Sequence, residues 1–213
     1  MTETAPQETE GTARGVRLPR TARRAQLLSA AQHVFVANGY HAAAMDEIAE
    51  RAGVSKPVLY QHFPGKLDLY LALLETQAEE LVNRLDEAIA STTDNKLRVH
   101  AAVAAYFDFV NGEGHAYRLV FESDLRGEPA VEKAIENATS QCVETITRAV
   151  TADAGLDEES ARLLAVGLAG LSQVTARYWL NDGRALRQED AVALIAGLAW
   201  RGIGGFPLQQ AEA

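Results

Sequence analysis

Between Gly53 and Phe63 the sequence reads GVSKPVLYQHF, a stretch whose polar and aromatic members would all face water on a helix. At about 100° per residue, Leu59 and Phe63 share one narrow arc and Pro57 and Gln61 lie opposite. Tyr60 and His62 flank the apolar arc, and Lys56 sits at the N-terminal tip. Side chains arranged this way suit the reading of duplex DNA: one face to the protein, one to base edges, and the flanks to two phosphate walls.

Such a helix needs a platform, and the residues before it supply one. MDEIAERA (45–52) has the length and composition of a short helix. Ala49 is small where a second helix must cross closely, and Gly53, four residues on, can take the positive φ that reverses the chain. Val54 plugs the turn, with Ile48 and Leu59 filling the interior on either side. Ser55 is expected as the N-cap of the second helix, and Pro57 belongs in its first turn, where a missing N–H costs little. This is helix-turn-helix spacing. The same spacing occurs in proteins that bind no DNA, and Tyr60 could equally be a half-buried core residue.

Charge favours the first reading. The whole chain carries a net charge of −9, yet residues 14–66 hold eight basic side chains against Asp46, Glu47 and Glu50, a net of +5. Residues 67–213 hold 12 basic and 23 acidic side chains, a net of −11. Salt screens charges beyond about 8–10 Å, so the local field governs what the first segment attracts.

The 213 residues, 47% hydrophobic and 23% charged, suit one sizeable core or a small module joined to a larger one. No apolar run is long enough to span a membrane, and MTETAPQETEGTARGVR has no secretory-type apolar segment, so a cytoplasmic protein is expected. Helical periodicity and cap signals recur throughout, without strand-like alternation. The spacing predicts a disordered basic arm over 1–18, then a helix over 21–38 closed by Asn38-Gly39. A long helix is predicted over 66–90, striped by Leu67, Leu71, Leu74, Ala78, Leu81, Leu85 and Ile89. Further helices are predicted over 96–111, 115–125, 129–153, 157–181 and 188–202, with Pro129 in a first turn and Asp157 as an N-cap.

GYHAAAMDEIAERAGVSKPVLYQHFPGKLDLYLALL resembles the DNA-binding segment of the tetracycline-repressor (TetR-type) family of bacterial regulators, most nearly actinobacterial members. Gly39-Tyr40, Ile48-Ala49, Ala52-Gly53-Val54-Ser55, Leu59-Tyr60, Phe63, Lys66 and Leu69 carry the likeness, which covers about residues 20–74. The resemblance implies an all-α fold: a three-helix helix-turn-helix head (19–66), joined by a long helix to a ligand-binding and dimerisation bundle (67–213), about nine helices in all. It implies that Lys56, Pro57 and Gln61 approach bases, with Ser55 and Val58 beside them, and that Tyr60, His62 and Lys66 grip phosphates. Where the family often has Thr-Ser or Thr-Thr, this chain has Ala43-Ala44, and Asp46 stands where a basic residue is frequent. Arg20, Arg23 and Arg24 are expected to compensate, with Arg20 and Arg24 as DNA contacts.

The larger module reads as a place for pairing and sensing. Residues 157–181 include Ala165, Gly167, Ala169 and Gly170, which allow a second helix close, and AVALIAGLAWR (191–201) is apolar nearly all round. Either these helices form a symmetric four-helix interface between two copies or they fill their own subunit's core. Tyr106, Phe107, Tyr117 and Phe121, with Gln141, Thr145, Gln173 and Arg177, could line an effector cavity or belong to the core. No catalytic site, cofactor or metal site is expected: there is no HExxH, no phosphate-loop motif in a strand-to-helix context, and a single cysteine, Cys142. The resulting expectation is a homodimeric regulator that binds near-palindromic double-stranded DNA, a repressor released by a small molecule. The alternatives are a DNA-binding regulator without a small ligand and a helical-bundle protein with a vestigial helix-turn-helix.

Overall fold

The computed structural model describes residues 18–112, 117–121, 125, 127–154, 156–181 and 185–202. The basic arm expected over 1–18 therefore lies outside the described residues, apart from Leu18. Among the described residues the chain is all-α: α1 (Arg20–Ala42), α2 (Met45–Arg51), α3 (Lys56–His62), α4 (Lys66–Ala90), α5 (Asn95–Asn111), α6 (Tyr117–Phe121), α7 (Pro129–Ala154), α8 (Glu158–Asn181) and α9 (Gln188–Arg201). None of them is long and apolar enough to cross a membrane.

Local chemistry sets several helix ends. Asp94 caps α5 by accepting the Leu97 N–H at 2.9 Å. Asp157 caps α8 by accepting the Ser160 N–H at 2.9 Å and the Ser160 hydroxyl at 2.8 Å. The first helix breaks at its expected stop, with Gly39 at φ 73° and ψ 170°, and a further turn follows to Ala42. Gly53, at φ 63°, makes the turn between α2 and α3 as its position requires. Ser55 holds the N-cap position of α3 but makes no side-chain cap bond. Its backbone carbonyl receives the Val58 and Leu59 N–H groups instead, which corrects the expectation of a hydroxyl cap.

One contiguous core joins head and bundle. Leu27, Ile48 and Leu59 in the head are fully buried, as are Leu69 and Leu74 on α4, and the same cluster continues to Phe107 on α5 and Ala165 on α8. Each such leucine contributes roughly 1.5–3 kcal/mol by leaving water. An aromatic knot ties α1 to α4: the Tyr70 ring meets Phe35 edge-on at 5.1 Å and Tyr40 at 5.3 Å.

α8 has two apolar faces. Ala161, Ala165, Ala169, Ser172 and Ala176 are buried against the subunit. On the opposite side Leu163, Val174 and Tyr178 are 74%, 55% and 67% exposed. Gly167 and Gly170 lie between them, with open space where a Cβ would project. Leu194 and Trp200 on α9 are also about half exposed.

Candidate nucleic-acid interface and effector cavity

The second helix of the turn presents the polar face its spacing promised. Leu59 and Phe63 are buried, while Ser55, Lys56, Pro57, Tyr60 and Gln61 are exposed and Val58 and His62 half-buried. Three arginines of α1 crowd its C-terminal end. The Arg24 guanidinium lies 4.7 Å from the centre of the Phe63 ring. Arg23 donates to Gln26 at 2.7 Å, and Gln26 donates to the Ala52 carbonyl at 2.8 Å, so α1 is bonded to the turn itself. Partial burial, followed by the fields of Arg20, Arg24 and Arg23, holds the His62 imidazole below its ordinary pKa. Cations gathered close together are what a phosphate would relieve.

Two lysines of the head have partners within it. The Lys66 ammonium turns inward and donates to the carbonyls of Tyr40, His41 and Ala43 at 2.8, 3.2 and 3.0 Å. It also lies 4.5 Å from the centre of the Tyr40 ring. An ammonium has three N–H groups, and here all three serve the end of α1. In this arrangement the Lys66 ammonium is engaged as a cap of α1 rather than presented outward. Lys56 remains on the surface but is paired with Asp46 at 2.5 Å.

In the bundle a cavity of about 180 Å³ lies among α4, α5, α7, α8 and α9. Its wall is aliphatic, formed by Ile89, Val99, Val103, Ile146, Val150 and Leu168, with Tyr106, Ser172 and Trp200 completing it and Asn95 and Arg98 at its polar edge. Of the residues expected to line an effector site, Tyr106 is among the described residues that line this cavity. Its hydroxyl is bonded to Cys142, and burial pushes the Cys142 thiol up to about 11. Phe107 instead packs against Trp179, with ring centres 5.6 Å apart. The Tyr117 hydroxyl donates to Asn181 at 3.1 Å, and Thr145 accepts from Arg148 at 3.1 Å. Gln141 lines a separate groove of about 500 Å³ between α4 and α7, with Glu75, Glu79 and Lys133. Gln173 and Arg177 are half-buried on α8 away from the cavity wall, and the Phe121 side chain lies outside what is described.

The lining residues that the sequence reading did not name include Val99, Ala102 and Val103 of α5. With Tyr106 they recur at helical spacing, which reads equally as core stripe and as cavity wall. Among the described residues no group of three His, Cys, Asp or Glu side chains could hold a metal ion.

Residues 27–73 match the family model of bacterial regulatory proteins, tetR family. The helix-turn-helix-type transcriptional activator FasR of Mycolicibacterium smegmatis is 50% identical over 198 residues, 93% of this chain and 90% of that one. The fatty acid metabolism regulator protein of Bacillus subtilis is 28% identical over 101 residues, covering 47% of this chain and 52% of the relative. In fold, the chain is similar to a crystal structure of FadR from Bacillus subtilis in complex with stearoyl-CoA, with a TM-score of 0.72 at 22% identity over 84% of this chain and 98% of that one.

Proposed function

Because the chain belongs to the tetR family of bacterial regulatory proteins and is a DNA-binding transcriptional regulator, we propose that it acts in the cytoplasm as a homodimer whose hold on DNA is set by a long-chain acyl thioester. Residues 19–66 form the reading head and 67–213 the effector and pairing module. Two heads, one from each subunit, enter successive major grooves of a near-palindromic operator. Gln61, Pro57 and Lys56 face the bases, while Tyr60, His62, Arg20 and Arg24 face the phosphates.

The observation that carries the effector reading is the cavity wall. Six aliphatic side chains against a thin polar edge suit an acyl chain, and FadR of Bacillus subtilis, similar in fold, was crystallised with stearoyl-CoA. Pairing is supported by the exposed apolar stripe on α8 and by exposed Leu194 and Trp200 on α9. A stripe opposite the buried face suits a symmetric contact between two copies.

Coupling follows from α4. Its 25 residues span about 37 Å. Ile89 near one end lines the cavity, and Lys66 at the other holds the α1 corner. An acyl ligand that favours one placement of α4 shifts the spacing of the heads, and DNA shifts ligand affinity by the same factor. As to sign, the 50% identical relative is an activator by name, which favours activation over the repression that the family resemblance suggested.

A gel shift on the DNA upstream of its own gene, with stearoyl-CoA and with coenzyme A alone, tests the proposal. A change of several-fold in affinity with stearoyl-CoA only is expected. An equal response to both, or none to either, refutes the acyl reading.

A further inference from the structure

Asp46 and Lys56 belong to different helices of the head, and their carboxylate and ammonium meet at 2.5 Å. Both side chains are largely exposed, at 62% and 60%. An exposed pair of this kind adds little to folding stability, so its consequence lies in what the exposed face does. We propose that Asp46 is a specificity-determining, positioning residue. It holds Lys56 to the α2 side of the recognition helix and cancels its charge, so that the head distinguishes sequences rather than gripping any duplex. The inference rests on the reading of α3 as the base-contacting helix.

Binding to arbitrary DNA is counterion release, and it grows with the number of cations brought to the phosphates. A Lys56 already neutralised by Asp46 adds almost nothing to that count. Sequence discrimination, by contrast, needs a donor presented in one direction. A lysine ammonium swings on a flexible four-carbon stem, and a fixed carboxylate restricts it. The pair therefore lowers the general term while sharpening the specific one. Glu47 provides an internal comparison. It carries the same charge on the next residue of α2, but its carboxylate accepts from the Asn38 amide at 3.0 Å and is described with no cation.

The experiment begins by selecting an operator from a randomised duplex library with the wild-type dimer. Wild type, Asp46→Asn, Asp46→Glu, Glu47→Gln and Lys56→Met are then titrated against that operator, its single-base variants and a random-sequence duplex, over a salt series. Circular dichroism checks that each is folded. On the random duplex Asp46→Asn is expected to steepen the salt slope by about two per dimer and to strengthen binding roughly tenfold at low salt. It should also lose base preference at the same position per half-site that Lys56→Met loses. Glu47→Gln should keep that preference, and Asp46→Glu should restore it.

If Asp46→Asn keeps full preference at that position, or behaves like Glu47→Gln, the inference is overturned while the reading of α3 stands. If Lys56→Met leaves every base preference intact, the assignment of Lys56 as a base reader falls and the inference falls with it.

Discussion

Lys66→Met separates two roles that one lysine cannot fill together. Its three bonds run to the carbonyls of Tyr40, His41 and Ala43. The bond to the His41 carbonyl is exposed, so water can replace that partner. The bonds to Tyr40 and Ala43 are partly buried, and each should be worth about 1 kcal/mol after allowance for its solvent access. Contact with the Tyr40 ring adds about 0.5–1 kcal/mol, so Lys66→Met should cost about 2–3 kcal/mol. At a urea dependence of roughly 2–3 kcal/mol per molar, that is a midpoint shift of about 1 M, measured at fixed protomer concentration because pairing adds to stability. Both tryptophans, Trp179 and Trp200, lie in the bundle. Loosening of the head alone should therefore lower far-UV circular dichroism before fluorescence changes. Arg should substitute poorly, since a planar fork does not fit three converging carbonyls. While the head stays folded, the salt slope for DNA should not change. An unchanged urea midpoint with a slope reduced by about two per dimer would show that the ammonium grips phosphate, and the cap would have no energetic meaning.

Gly53→Ala should cost about 1–2 kcal/mol through backbone strain alone. The φ there is +63° and no atom lies within 4 Å of the added methyl group. Asn at the same position should therefore cost less, and equal losses in urea melts would point to a steric cause. Val174→Asp places a charge in the exposed stripe of α8 and should yield a folded monomer that no longer shifts operator DNA. A persistent dimer in sedimentation velocity would move the interface elsewhere. His62 gives two opposite pH effects. Its folded pKa lies below the ordinary 6.5, so folding stability falls as pH drops through that value. A nearby phosphate raises the pKa in the complex, so DNA affinity should rise over the same window. His62→Gln should flatten the binding profile, and an unchanged profile would remove His62 from the phosphate contacts.

Helix placement was legible where strong local chemistry acted. The span Lys66–Ala90 was readable from Pro64-Gly65 before it and STTDN after it, and Asp157 capped as expected. The exposed face of α3 followed from Leu59 and Phe63 alone, because a helix with two buried positions on one arc can turn its polar positions only outward. What escaped depended on contacts between distant segments. The three carbonyls that receive Lys66 come from the end of α1, 23 to 26 residues away, and nothing local marks a surface lysine as turned inward. The Asp46–Lys56 pair was equally hidden, although both residues could be singled out separately. The cavity escaped for a different reason. Aromatic residues were expected at its wall, but Phe107 packs on Trp179 and Tyr117 bonds Asn181. Small and branched residues of α5 leave the space instead, and periodicity cannot distinguish a filled stripe from a hollow one.

The size of that space yields a test of how the signal arises. The cavity, at about 180 Å³, is smaller than the roughly 300–1,000 Å³ of drug-sized sites, so a long acyl chain is expected to part the surrounding helices. A ligand shifts an equilibrium only as far as it prefers one arrangement over the other. A short chain that fits the existing space prefers neither and should bind silently. A long chain must displace α4 through Ile89 or α8 through Leu168, and α4 carries the head because Leu69 and Leu74 share one core with it. Hexanoyl-CoA is therefore expected to bind with little effect on the gel shift, and stearoyl-CoA to change operator affinity by several-fold. Ile146→Ala enlarges the cavity and should raise the chain length at which the response begins. If hexanoyl-CoA and stearoyl-CoA changed DNA affinity equally, cavity expansion could not be the source of the coupling, and the polar edge at Asn95 and Arg98 would have to carry it.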